Sequence, residues 1–234
     1  PVGDELKTLT QWHADYRLPT QIDEAGRRTT FGYNGKGDLL QKTVLDTATG
    51  QSRTWSYTYN SLGQVLTADG PRTDVNDVTT YSYYVDSTAD HKPGDLATIV
   101  NALGHTTVFN RYDGSGRPLM ITEPNGLATT LAYDPRGRLT QIIVDSKVTQ
   151  YDYDPAGNLI KVTSPTDDYL SYTYDDAHRL IRTDDNLGNH AVYTLDAMGN
   201  RLKTELFDPT GQLARSQSRV YDALSRLQDV IQQY

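Results

Sequence analysis

Histidine and aspartate have the widest chemical reach of the side chains in this sequence, and their spacing decides which chemistry is open. His13, His91, His105, His178 and His190 show neither an H-x3-H nor an H-E-x-x-H spacing, so no local element pairs two imidazoles on one zinc ion. His178 and His190 are twelve residues apart but fall at different turns. Neighbouring acids at Asp152/Asp154, Asp167/Asp168 and Asp184/Asp185 invite a glycosidase reading, because that chemistry needs two carboxyl groups roughly 5–10 Å apart. Asp154, however, recurs at the same place in a repeated phrase, and Asp184/Asp185 lie beside a loop. A catalytic acid breaks a repeat at one place, and no such break occurs. The reading is therefore of a chain that is not an enzyme, with no catalytic, cofactor-binding or metal-binding residue and no cofactor. Acidic turns could ligate calcium through carboxylates and carbonyls, but the twelve-residue EF-hand pattern is absent.

Composition narrows the partners. Net charge is −8 and the isoelectric point is near 5.0, with no basic cluster to displace counterions from a nucleic acid or to attract an anionic membrane. No apolar run approaches the roughly 18 residues of a membrane span. The opening stretch "PVGDELKTLT" does not read as a signal peptide. Cysteine is absent, which rules out disulfides and thiolate chemistry. That suits the cytoplasm, and equally a secreted chain that must cross a membrane. Hydrophobic residues are 36% of the 234, and 17 of the 22 aromatic residues are Tyr. A side chain with an apolar body and a polar tip suits half-buried sheet surfaces better than a dry interior.

The elements that carry these residues announce themselves as repeats. An aromatic followed by [Asp/Asn]-x-x-Gly occurs at Tyr33-Asn34-x-x-Gly37, Tyr59-Asn60-x-x-Gly63, Tyr112-Asp113-x-x-Gly116, Tyr133-Asp134-x-x-Gly137 and Tyr153-Asp154-x-x-Gly157. Looser copies are Tyr174-Asp175-x-x-His178, Leu195-Asp196-x-x-Gly199 and Tyr221-Asp222-x-x-Ser225. Head spacings from Tyr112 onward are 21, 20, 21, 21 and 26; earlier, Tyr33, Tyr59, Tyr84 and Tyr112 are 26, 25 and 28 apart.

The phrase has a mechanism. Asp at the first position, Pro at the second and Gly at the fourth suit a type I turn with a positive-φ bulge, which closes a hairpin. His178 is tolerable in the glycine slot, whereas Ser225 fits it worse. After each turn comes a basic or polar residue, then Leu, then a strand-like run such as "RLTQIIV". A second turn follows, at Asn125-Gly126, Ser164-Pro165-Thr166-Asp167 or Asn186-Leu187-Gly188-Asn189, and the chain returns through aromatics at period two: Tyr57/Tyr59, Tyr81/Tyr83, Tyr151/Tyr153, Tyr172/Tyr174. These rows could stack on sugar rings, but on consecutive strands they read more simply as cross-strand ladders. Unit length varies because the second turn absorbs the difference, with polar excursions at Ala68–Thr80 and Asp86–Asp95. No segment sustains 3.6-residue apolar periodicity, so almost no helix is expected.

These units resemble the YD repeats of the RHS family, whose pattern is roughly G-x-x-x-x-Y-x-Y-D-x-x-G-R-L. "YDPRGRL" (Tyr133–Leu139) matches the second half completely, and "YDYDPAGNL" (Tyr151–Leu159) has Asn158 for Arg. "YDGSGRPL" (Tyr112–Leu119) and "YDALSRL" (Tyr221–Leu227) each depart at one position. The resemblance runs from about Phe31 to the end. It implies a long antiparallel sheet spiralling into a hollow shell that wraps a C-terminal effector, commonly a bacterial toxin; related repeats occur in insecticidal toxin complexes and animal adhesion proteins. Shells of that family end in a core with a self-cleaving aspartyl site. "FDPTGQL" (Phe207–Leu213) is superficially reminiscent of it but sits in repeat register as a second turn.

The expectation is thus an all-β chain of continuous antiparallel hairpin repeats in a curved, spiralling sheet. It would be a single array over residues 1–234, cut from a longer parent with no variable toxin domain after Tyr234, and less regular over residues 1–30. A β-propeller is the structural alternative, since two 21-residue units make one four-stranded blade. The functional expectation is a non-catalytic segment of a toxin-encapsulating shell. Its partners would be the rest of the shell, the enclosed effector polypeptide and secretion machinery, with neither nucleic acid nor membrane insertion, and it would be secreted or delivered from a bacterial cell. The alternative is a surface-displayed adhesion or carbohydrate-binding module. About nine strand pairs would leave two open sheet edges, which predicts a covering partner or self-association.

Overall fold

The computed structural model describes residues 7–233, and Tyr234 and the first six residues of the less regular repeat expected over 1–30 lie outside them. Among the described residues there are twenty strands and no helix. They fall into two compact units that divide between Leu127 and Ala128. The first unit holds β1 (Leu9–Trp12), β2 (Pro19–Glu24), β3 (Arg27–Tyr33), β4 (Leu39–Asp46), β5 (Ser52–Tyr59), β6 (Val65–Asp69), β7 (Thr79–Tyr83), β8 (Leu96–Val100), β9 (Thr106–Tyr112) and β10 (Pro118–Thr122). The second holds β11 (Ala128–Tyr133), β12 (Leu139–Val144), β13 (Lys147–Tyr153), β14 (Leu159–Thr163), β15 (Tyr169–Tyr174), β16 (Leu180–Asp185), β17 (His190–Leu195), β18 (Arg201–Phe207), β19 (Leu213–Tyr221) and β20 (Leu227–Gln233).

Within each unit every strand pairs antiparallel with the next in sequence, from β1–β2 to β9–β10 and from β11–β12 to β19–β20. Such ten-strand runs do not break into the four-stranded blades of a propeller. Each strand that ends in a head residue pairs with its successor through a bulge just before that residue, as between Ala132 and Tyr133 or Asp152 and Tyr153.

Register sorts the side chains by face. In the second unit Tyr151, Val162 and Leu170 are cross-strand neighbours, as are Tyr172, Thr183, Ala191 and Leu206, all on one face. The opposite face carries Gln141 beside Gln150, Asp152 beside Lys161, and Arg182 beside Val192, which in turn lies beside Glu205. The first unit repeats the division. Trp55, Tyr57, Tyr81 and Ile99 share one face, while the other bears hydroxyl pairs at 2.6–2.9 Å: Thr43–Thr54, Thr58–Thr67 and Ser82–Thr98.

Tyr112, 8% exposed, is the one buried hydrophobic residue among those described, with Thr29 and Ser216 the buried polar ones. The chain exposes 15326 Å², against about 10,600 Å² for a compact monomer of this mass. Single-layer sheet explains the excess. With so little core, the structure must be held by what links one hairpin to the next.

Candidate functional site

The head turns that close β3, β5, β9, β11, β13, β15, β17 and β19 share one geometry. The N–H of the first turn residue (Asn34, Asn60, Asp113, Asp134, Asp154, Asp175, Asp196, Asp222) donates to the carbonyl four residues on at 2.9–3.0 Å, and the N–H of the fourth returns to its carbonyl at 2.9–3.1 Å. The first residue's Oδ1 accepts the N–H four residues on at 2.8–3.0 Å. The fourth position needs positive φ: Gly137 sits at 85° and Gly157 at 107°. His178 and Ser225 both take 60°, so the poorly fitting Ser225 closes the last turn like the rest. The remaining fourth residues, Gly37, Gly63, Gly116 and Gly199, lie in the same region.

Every acid in this position is occupied by its own turn. The backbone N–H of Arg117, Arg138 or Arg226, chiefly, holds the Asp113, Asp134 and Asp222 carboxylates below their ordinary range. Side-chain bonds from Asn158, Arg179 and Asn200 dominate for Asp154, Asp175 and Asp196, whose pKa values are likewise lowered. The arginines at this place also form ion pairs at 2.6–2.7 Å: Arg117–Asp113, Arg138–Asp134, Arg179–Asp175 and Arg226–Asp222. A carboxylate held anionic by two or three donors is a turn cap and a poor general acid.

The heads do something that the sequence reading did not see. Each phenol reaches sideways and donates to the first carbonyl of the preceding strand: Tyr33 to Pro19, Tyr59 to Leu39, Tyr112 to Leu96, Tyr153 to Leu139, Tyr174 to Leu159 and Tyr221 to Arg201, at 2.7–3.3 Å. Tyr133 closes β11 in the same place, while Leu195, closing β17, has no hydroxyl to offer. Burial raises the phenols of Tyr33, Tyr59 and Tyr174, and pushes Tyr112 up to about 12.

A second set of links runs from one head turn to the next within each unit. In the second unit Arg138 Nη1 donates to Asp154 O at 3.2 Å and Arg136 Nη1 to Pro155 O at 2.6 Å. Asn158 Nδ2 meets His178 Nδ1 at 2.9 Å, Arg179 Nη1 donates to Asp196 O at 2.9 Å, and Asn200 Nδ2 to Ser225 Oγ at 3.0 Å. In the first unit Lys36 Nζ reaches Ser61 O, Gln64 Nε2 reaches Gly94 O, and Lys92 Nζ reaches Gly114 O, at 2.7–2.8 Å. The signal for these links was the basic or polar residue after each turn, read only as the start of a strand.

Two expectations are corrected here. The head expected at Tyr84 is Tyr83, which ends β7 and whose phenol donates to Val65 O at 2.9 Å. Tyr84 takes the turn's first position, its N–H bonded to Asp95 O and its carbonyl accepting from Gly94. Length variation is therefore not confined to the second turn: residues 85–93 stand between the first and fourth positions of this head turn, where the others hold two residues, and its closing bonds are kept. Tyr84 stacks on His91 with ring centroids 3.5 Å apart, and His91 Nε2 lies 3.1 Å from Asp86 Oδ1. The turn expected at Asn186–Asn189 begins one residue earlier, at Asp185, whose Oδ1 accepts from Leu187 and Asn189.

The other candidates are accounted for locally. Asp184 pairs with Arg182 at 2.5 Å, Asp168 accepts from Asn186 at 2.7 Å, and Asp167 fills the positive-φ slot of its turn at 65°. His190 stacks on Phe207, and Asp208 of "FDPTGQL" caps an ordinary turn through the N–H groups of Thr210 and Gln212. Among the described residues no three histidines or acids are grouped to hold a metal ion. A shallow apolar depression of about 400 Å³ lies on the tyrosine face, lined in part by Leu170, Ala191, Tyr193, Leu206 and Phe207.

Comparison with known proteins adds a family and a fold. Residues 112–147, 133–169 and 153–190 each match the RHS Repeat family model, so the stretch 112–190 consists of RHS repeats. No curated protein matches the chain. Among solved structures, TcdB2-TccC3 without its hypervariable C-terminal region superposes with TM-score 0.73 at 17% identity, over 96% of this chain and 14% of that one. The TcdB2-TccC3 crystal structure gives 0.67 at 16% over 95% and 16%. The Photorhabdus luminescens Tc holotoxin pore gives 0.66 at 17% over 95% and 15%. At such identity the likeness is one of fold, and this chain spans about one seventh of the length of those it matches.

Proposed function

On the premise that residues 112–190 are RHS repeats and the fold is that of the TcdB2-TccC3 chains, we propose that this chain is a non-catalytic wall segment of a toxin-enclosing shell. The observation that carries the reading is the division of each unit into a tyrosine-rich and a hydroxyl- or charge-rich face, with every repeated acid spent on a turn. A wall acts by sterics: it keeps proteases and targets from its contents and keeps apolar segments of the contents apart. The tyrosine face supplies amphipathic, non-directional contact for such a segment, which makes it the inner face in this reading. The partners are the rest of the shell, the enclosed effector polypeptide and the secretion machinery that delivers the assembly from a bacterial cell. The repeats form a single array in that wall.

The test is limited proteolysis of the effector segment in a full-length parent protein. Protection is expected, and it should vanish when Gly137 and Gly157 are both replaced by Val. A segment cut freely in the unaltered protein would overturn the container reading and favour surface display, in which the isolated repeats bind a glycan or a cell.

A further inference from the structure

Asparagine followed by glycine occurs twice in this chain, at Asn34-Gly35 and Asn125-Gly126. With no Cβ on the following residue, the glycine nitrogen can approach the asparagine's own side-chain carbonyl, the contact through which the amide is lost. The two pairs are held very differently. Asn34 begins a head turn: its Oδ1 accepts the N–H groups of Lys36 and Asp38, and its Nδ2 donates to Asp38 Oδ2 at 2.8 Å. Two side-chain bonds from outside its own ring lock that turn, Tyr16 donating to Gly35 O at 2.5 Å and Lys36 to Ser61 O at 2.7 Å.

Asn125 lies in a turn of the opposite edge and is exposed together with Gly126. Its Oδ1 accepts one bond, from Leu127 N–H at 3.0 Å, and its Nδ2 meets no partner among the described residues. Otherwise the turn has its two backbone closures, Glu123 N–H to Leu127 O and Gly126 N–H to Glu123 O. Among the described residues no side chain of a neighbouring turn reaches it. The ring closed by the Leu127 bond runs through the Gly126 nitrogen, and that bond also polarises the Cγ carbonyl. Opening of a single backbone bond therefore frees a nucleophile beside an electrophile already drawn near it.

We propose that Asn125 is a modification site: in the folded protein it converts spontaneously to aspartate and isoaspartate, while Asn34 is protected. Hydroxide takes the proton of the Gly126 amide, and the nitrogen attacks Asn125 Cγ. The N–Cγ bond forms, the Cγ–Nδ2 bond breaks, and Nδ2 takes a proton from water and leaves as ammonia. Water then opens the cyclic imide. Attack at Cγ restores the ordinary backbone with an aspartate; attack at the α-carbonyl leaves isoaspartate, with an extra methylene in the main chain. Either route loses ammonia, gains water and adds a negative charge at neutral pH. The turn lies on the edge whose turns already vary in length, so the longer backbone is accommodated and the sheet persists.

Incubation of the intact, folded protein in mildly alkaline buffer, followed by digestion and peptide mass spectrometry, tests this. Asn125 should convert roughly tenfold or more faster than Asn34, because opening the Asn34 turn forfeits the Tyr16 and Lys36 bonds as well. In strong urea the two rates should converge, since both sites carry the same dipeptide. Tyr16→Phe combined with Lys36→Ala should raise the rate at Asn34 and leave Asn125 unchanged, with circular dichroism reporting the sheet. Should that variant unfold, the folded and urea rates of the unaltered protein decide alone. Asn125→Gln should abolish the charge gained at this turn, because its cyclic imide would need a larger ring. Conversion of Asn34 as fast as Asn125 in the folded protein would overturn the proposal. So would an Asn125 that stays intact while folded yet converts in urea.

Discussion

Asp134 and Asp185 begin the same turn on opposite edges of one hairpin array, and only the first is part of a chain. Both Oδ1 atoms accept the N–H groups two and four residues on. Beyond Asp134, arginines 136 and 138 bind the next head turn, which binds the next, as far as Ser225. On Asp185's edge lateral bonds are sparser among the described residues: Asn186 to Asp168 and Tyr169, and Thr47 N–H to Gly26 O in the first unit. The edge without a chain is free in length. Its turns run from two residues at Asp145-Ser146 to the excursion between β6 and β7. The linked edge accepts an insertion only where the frame survives, as at residues 85–93, with Gln64 reaching Gly94 behind it and Lys92 reaching Gly114 ahead. The same local turn thus becomes a strut or a spacer according to what its neighbours can reach.

Glycine replacement should break this contrast most severely. Gly137→Val and Gly126→Val impose the same positive φ, 85° and 83°, each costing about 1–3 kcal/mol in strain. Chemical denaturation should show the larger loss for Gly137→Val, because its turn also holds the links to Asp154 and Pro155. Equal losses would mean that the lateral links add nothing. On a single strand, Tyr174→Phe should cost about 1 kcal/mol by stripping the donor from the Leu159 carbonyl. Tyr172→Phe, two residues earlier and without that carbonyl in reach, should be nearly neutral in the same assay.

The gentlest probe is pH, and it separates the two units. Lowered aspartate pKa values contribute stability that is complete above the unfolded value, near 4, and is lost as pH falls through the native ones. All five head turns of the second unit begin with Asp, against Asn34, Asn60, Tyr84 and Asp113 in the first. Acid should therefore loosen residues 128–233 first, by hydrogen exchange. Raised tyrosines work oppositely: their contribution is full below pH 10 and lost on the way to the value near 12 at Tyr112. Tyr33, Tyr59, Tyr83 and Tyr84 join it in the first unit, with Tyr174 in the second. Alkali should therefore open residues 7–127 first. Simultaneous opening at both extremes would remove the distinction.

Local chemistry explains what was legible in the sequence. A side-chain acceptor at Asp134 and a residue able to hold positive φ at Gly137 settle a turn within five residues, and the Tyr151/Tyr153 alternation settles a strand. The all-β hairpin fold followed from those two signals. The misplaced head at Tyr84 arose because two adjacent tyrosines compete for one slot. A bulge before Tyr83 decides between them, and a bulge has no sequence signature here. The phenol bonds were illegible for a different reason: their acceptors are backbone carbonyls 14–20 residues back, and every residue has a carbonyl.

Those short spans carry a consequence for how the chain comes into being. The hooks of the head tyrosines point backwards, to a strand already made, and their reach never exceeds the hairpin before, whereas Tyr84 reaches ahead to the Phe109 carbonyl. A chain leaving the ribosome could seat each hairpin on its predecessor as it emerges, with no need to wait for distant partners. Assembly then resembles a zip drawn from the N-terminus, paced by synthesis, in which the exposed edge at any moment is only one strand long.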